Sequence, residues 1–100
     1  MENNQPTSNQ NQIQVKITDE VLKGVYSNLA QVAHTPEEFV LDFLNIVGGA
    51  GIVASRVILS PGHFKRLVAA MADNLKKYEE QFGQIKASEQ PQGKIGFRTE

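Results

Sequence analysis

VASRVILSPGHFKRLVAAMADNLKKYEEQFG, residues Val53 to Gly83, is the stretch whose reading decides the fold. Val53 to Leu59 is apolar and rich in β-branched residues, which suits a strand. Ser60 and Pro61 follow, and then an amphipathic run reaches Phe82. Phe64, Leu67, Val68, Met71, Leu75, Tyr78 and Phe82 recur at steps of three and four, so they share one face of a helix. The Ser60 hydroxyl suits the cap, where it can accept a hydrogen bond from an orphan N–H of the first turn. Pro61 suits the first helical position, because its missing N–H has no partner there anyway. Gly83 ends the run, with Ile85 placed to fold back on the last turn. Asp73 and Lys77 make a favourable pair on the outer face. The reading is strand, cap, helix and stop.

Working toward the N-terminus, Gly48-Gly49-Ala50-Gly51 reads as a flexible turn into that strand. Before it lies TPEEFVLDFLNIV, residues 35–47. Thr35, Pro36 and Glu38 resemble a helix start with a capping box. The body is rich in Phe, Val and Ile, and so short an apolar run is also consistent with a strand. A strand would set Phe39, Leu41 and Phe43 on one face. Val40, Leu44 and Ile46 would lie on the other, with Asp42 intruding. Val25 to Ala33 reads as another strand, and Ile13, Val15 and Ile17 alternate with polar residues as in a half-buried one. Asp19-Glu20 is an expected turn and Lys23-Gly24 a bend.

Composition bounds the rest. The chain has 100 residues, no cysteine and a net charge of −1. Residues 1–12 are almost wholly polar, and 87–100 are polar with Pro91 and Gly93 as breakers, so both are expected to be disordered tails around one domain at 13–86. Such a core is marginal without staples or self-association. Residues 13–60 carry three basic and five acidic groups, and the helix carries four basic and three acidic ones. No basic stripe of the kind that tracks nucleic acid is present. No apolar run is long enough for a bilayer, and no signal segment opens the chain, so neither nucleic acid nor membrane is an expected partner and the cytoplasm is the expected location.

Several separated motifs resemble a small bacterial and archaeal family without an assigned function, domain of unknown function 3467. They are Tyr26-Ser27-Asn28, His34-Thr35-Pro36-Glu37-Glu38-Phe39, Leu41-Asp42-Phe43, Arg56, Ser60-Pro61, Asn74, Tyr78-Glu79 and Phe82-Gly83. The resemblance spans about residues 13–86. It implies an antiparallel strand for Phe39–Val47 and the order β-β-β-β-α. It implies no activity. The turn after the third strand is rich in Gly and Ala here, where many relatives carry proline.

The expected class is therefore α+β: two layers, an antiparallel sheet of about four strands followed by one long C-terminal helix that covers one face. The face left open, carrying Val40, Leu44 and Ile46, is the expected oligomer interface.

No constellation points to catalysis. His34 and His63 are the only histidines and lack metal-ligand spacing, so no metal and no cofactor is expected. Asp42 could serve as a general base or pair with Arg56 across the following strand, and the pair is the expected role. Ser60, Gly62, His63, Lys65 and Arg66 gather at the helix start, a weak candidate for binding an anion or nucleotide. No phosphate-loop pattern supports it. In Lys94-Ile95-Gly96-Phe97-Arg98 the apolar residues alternate between two cations, and the strip could dock on an exposed sheet edge, its own or that of a protein partner. The function expected is a non-catalytic, homo-oligomeric binding or scaffold module. Alternatives are a chaperone or adaptor like the export chaperone SecB, and an anion or nucleotide binder using the helix start near His63.

Overall fold

A computed structural model describes residues 11–99. The polar stretch expected at 1–12 falls almost entirely outside the described residues. The architecture is α+β, with a three-stranded antiparallel sheet followed by a long helix. A single helical turn, α1 (Asp19–Leu22), precedes strands β1 (Leu29–His34), β2 (Phe39–Val47) and β3 (Ala50–Leu59), and α2 (Pro61–Phe82) closes the order.

The sheet runs β1-β2-β3, with β2 in the centre. Its two hairpins use different turn chemistry. Between β1 and β2 the Thr35 hydroxyl accepts from the N–H groups of Glu37 and Glu38 at 3.2 and 3.3 Å, and Thr35 N–H donates to the Glu38 carbonyl at 2.9 Å. The signal that could cap a helix instead closes a turn, and the segment after it is a strand. Between β2 and β3 the loop is only Gly48-Gly49, with Val47 opposite Ala50. Gly48 has φ +63°, a value suited to the first position of a two-residue hairpin turn and awkward for any residue with a Cβ.

The details of the strands differ from expectation. Among the described residues the sheet has three strands, where about four were expected. Ile13, Val15 and Ile17 belong to no strand and are exposed, because alternation makes a strand only where a neighbouring edge completes its hydrogen bonds. The strand expected from Val25 begins at Leu29, and Asp19-Glu20 opens a capped helical turn. There the Thr18 hydroxyl accepts from Val21 N–H at 3.2 Å.

Helix α2 forms as its local signals dictate. The Ser60 hydroxyl accepts from His63 N–H at 3.3 Å, Pro61 takes the first position, and Gly83 at φ +96° ends it. Gly83 N–H donates to the Glu79 carbonyl at 2.9 Å, and Ile85 N–H to the Glu79 carboxylate at 3.0 Å. The helix does not lie down on its own sheet. Extensive contact between elements is confined to the strand pairs. One aromatic column ties the helix start to the sheet: His34 lies 5.4 Å from Phe39, and Phe39 stacks on Phe64 at 4.0 Å with nearly parallel rings. Beyond Leu67 the apolar stripe is open, with Met71 60 % and Phe82 65 % exposed.

Burial therefore belongs to the sheet. The buried apolar residues are Leu41, Leu44 and Leu59, and no described side chain is completely enclosed. Among the described residues no helix is long and apolar enough to cross a membrane.

Candidate functional site

Paired residues of neighbouring strands point to the same face, so register places every side chain of the sheet. Phe39, Leu41 and Phe43 share a face with His34, Val32 and Ala30 of β1 and with Leu59, Val57 and Ser55 of β3. The opposite face carries Val40, Asp42, Leu44 and Ile46 on β2. Across this second face runs one polar row, Gln31-Asp42-Arg56, between apolar rows ending in Ile58 and Val53.

The polar row owes its existence to an irregularity. The register shifts between Phe43 and Leu44: Leu44 faces Val53, while Phe43 faces Ser55. Ala54 is the extra residue of a β-bulge. With the tight Gly48-Gly49 turn and no bulge, Asp42 would stand opposite Ser55. Arg56 would then project from the other face, since a one-residue slip reverses every side chain beyond it. The bulge brings Arg56 opposite Asp42. The guanidinium donates twice, from Nε to Oδ1 at 2.6 Å and from Nη2 to Oδ2 at 2.9 Å. This two-pronged geometry is the stronger form of an ion pair. The Asp42 side chain is 9 % exposed and that of Arg56 is 55 %. The Arg56 hydrogen bonds hold the Asp42 carboxyl below the usual carboxylate range, against the upward push of burial, and Asp42 raises Arg56 in turn. Held ionised by its partner, Asp42 is a poor proton acceptor at neutral pH.

Of the residues proposed for an interface, Leu44 is corrected. It is 4 % exposed and belongs to the chain's own core. Val40 and Ile46 are half-buried. The exposed large apolar residues on the sheet are Ile58 and Val53 on the Asp42 face, and Val32, Val57, Ile52 and Val47 on the other.

The candidate anion site at the helix start is open to solvent. Gly62, His63, Lys65 and Arg66 are all exposed, and Arg66 Nη2 lies 3.4 Å from His63 Nδ1. Ser60 already uses its hydroxyl on His63 N–H. No described cluster of three or more His, Asp or Glu side chains could hold a metal ion. A broad open groove lies between residues 25–30 and Ser88–Gln92, with Phe43 and Ile46 in its wall. It brings together no set of acid, base and nucleophile. The C-terminal segment thus returns beside β1. Lys94 to Arg98 forms no strand within the chain, although Ile95 is half-buried.

Sequence reasoning missed the clamp at the start of β1. The Asn28 side chain reaches Ile46 as a strand residue would: Nδ2 donates to the Ile46 carbonyl at 2.8 Å, and Oδ1 accepts from Ile46 N–H at 2.9 Å. The Ser27 hydroxyl donates to the Leu44 carbonyl at 2.9 Å. The two side chains carry the ladder past its last backbone pair. The available signal was a Ser-Asn pair just before a strand, residue types that compete for backbone hydrogen bonds.

The family model described as "Protein of unknown function (DUF3467)" matches residues 1–87, and the chain belongs to that family. No curated protein and no solved structure matches the chain.

Proposed function

We propose that this family member is a non-catalytic binding or scaffold module that works as a homo-oligomer in the cytoplasm. The observation that carries the reading is the mismatch between apolar surface and burial. Among the described residues the buried apolar side chains are Leu41, Leu44 and Leu59, while most of the large apolar side chains of α2 and of the segments flanking the sheet are exposed. Val68, Met71, Leu75, Tyr78 and Phe82 form one exposed stripe. A stripe of that size marks an interaction surface.

The ion-paired Asp42 and the solvent-open helix start favour binding over catalysis. A chain without cysteine has no disulfide at risk in a reducing compartment. Sedimentation equilibrium over micromolar concentrations tests the reading, with a thermal-shift series of nucleotides and phosphate as its second arm. A mass at a multiple of 11.0 kDa and no shift with nucleotides is the expected result. A monomer throughout, or a dose-dependent nucleotide shift, rejects it.

A further inference from the structure

The apolar stripe of α2 has a stricter period than a surface helix requires. Phe64, Val68, Met71, Leu75, Tyr78 and Phe82 follow one another at steps of 4, 3, 4, 3 and 4. This is the 3.5-residue repeat of a coiled-coil seam, in which each residue lodges among four of a facing helix. Arg66, Asp73, Lys76, Lys77 and Glu80 fall on the far arc of the helix, where Asp73 and Lys77 pair at 3.0 Å. A seam without a facing helix is incomplete, and among the described residues its contact with the sheet lies at its start, where Phe64 stacks on Phe39.

We propose that α2 pairs antiparallel with α2 of a second copy, a two-fold coiled coil with the two sheets at opposite ends. This rests on the homo-oligomer proposed above and names its interface. Charge complementarity sets the direction. The seam is flanked on one side by Lys65, Ala72 and Glu79, and on the other by Leu67, Asn74 and Gln81. Antiparallel pairing matches like flanks. Lys65 then faces Glu79 of the second copy, and Glu79 faces its Lys65. Asn74 meets its own symmetry mate at the axis. Met71 packs against Leu75, Val68 against Tyr78, and Phe82 reaches the Phe39–Phe64 stack of the other copy. A parallel pair would set Asn74 beside Glu79, leave Lys65 opposite Ser60, and align the helix dipoles unfavourably. The contact is isologous, so it closes at two copies and does not propagate. Glu79 keeps one carboxylate oxygen for this pairing, since Ile85 N–H occupies only Oε2.

The absence of cysteine makes a clean test. Lys65→Cys and Glu79→Cys chains are mixed, refolded together and oxidised. The expected product is a disulfide-linked pair containing one chain of each kind. Neither variant alone should cross-link, because in this register identical positions lie about 20 Å or more apart along the axis. Linkage of Lys65→Cys to itself is incompatible with the antiparallel register and would overturn the proposal. So would a dimer in which the mixed pair never forms. Leu75→Glu should give a monomer of unchanged helical content, since Leu75 is exposed in the single chain. A Leu75→Glu dimer would overturn the helix seam while leaving self-association standing. A wild-type monomer would remove both. Lys65→Glu should weaken association roughly ten-fold, and Glu79→Lys added to it should restore it.

Discussion

Strand β2 and helix α2 each carry a row of large apolar side chains, and the two stand in opposite circumstances. β2 lies between two neighbours, and Leu41, Asp42 and Leu44 are buried there by the chain itself. α2 is longer, fully capped at both ends, and leaves its apolar stripe in solvent. Good local signals therefore guarantee that an element forms without deciding what it packs on. Helical hydrogen bonds close within the segment. A strand has none until a neighbour arrives, so formation and burial coincide for β2 and separate for α2.

The sharpest way to break this contrast is to shorten one apolar side chain in each element. Leu44→Ala should cost about 3 kcal/mol, because a buried leucine leaves both lost transfer energy and a cavity. Met71→Ala should change the unfolding of the single chain by only a few tenths of a kcal/mol, Met71 being largely exposed. Urea unfolding at low protein concentration reads both. Equal losses would mean that α2 is buried in its own chain after all.

Asp42→Asn should have a smaller effect than Leu44→Ala, and its pH dependence identifies the cause. The folded carboxyl titrates below its unfolded value, so folding favours the ionised form. The stabilisation is complete above about pH 4 and is lost as pH falls through the depressed folded value. The gap between wild type and Asp42→Asn in denaturant midpoint should therefore be widest at neutral pH and close in acid. A gap of constant width would assign the loss to packing rather than charge.

Ser60→Ala should cost about 1 kcal/mol through the lost helix cap. If α2 is stabilised mainly by a partner, the loss should be smaller in the assembled protein than in the diluted one, as circular dichroism melts at two concentrations would show. Asp73→Ala should cost only about 0.3 kcal/mol, since both members of its pair with Lys77 are exposed. A larger loss would place that face of the helix in a contact.

What was legible, and what was not, follows the same division. Ser60, Pro61 and Gly83 bound α2 where their local chemistry requires. Thr35-Pro36-Glu37-Glu38 was ambiguous because the same hydroxyl-to-backbone bonds begin a helix and close a hairpin turn. Only the ladder from Phe39 to Val47 decides between them. Ile13, Val15 and Ile17 alternate faithfully and still form no strand within the chain, because alternation cannot state that an edge is present. Ser27-Asn28 announced only a residue type that competes for backbone hydrogen bonds, and not that the Asn28 amide would pair with Ile46.

The Asp42–Arg56 pair marks the boundary most clearly. Charge and proximity to a glycine turn made it a reasonable expectation from residues alone. Whether the two would share a face depended on one added residue, Ala54, and nothing in Val-Ala-Ser announces a bulge. By itself the sequence determined the elements whose hydrogen bonds and caps are local: the helix, its ends and the apolar character of the strands. Tertiary structure alone decided register, the face each side chain occupies, and the isolation of α2 from its sheet, because these depend on partners far apart along the chain.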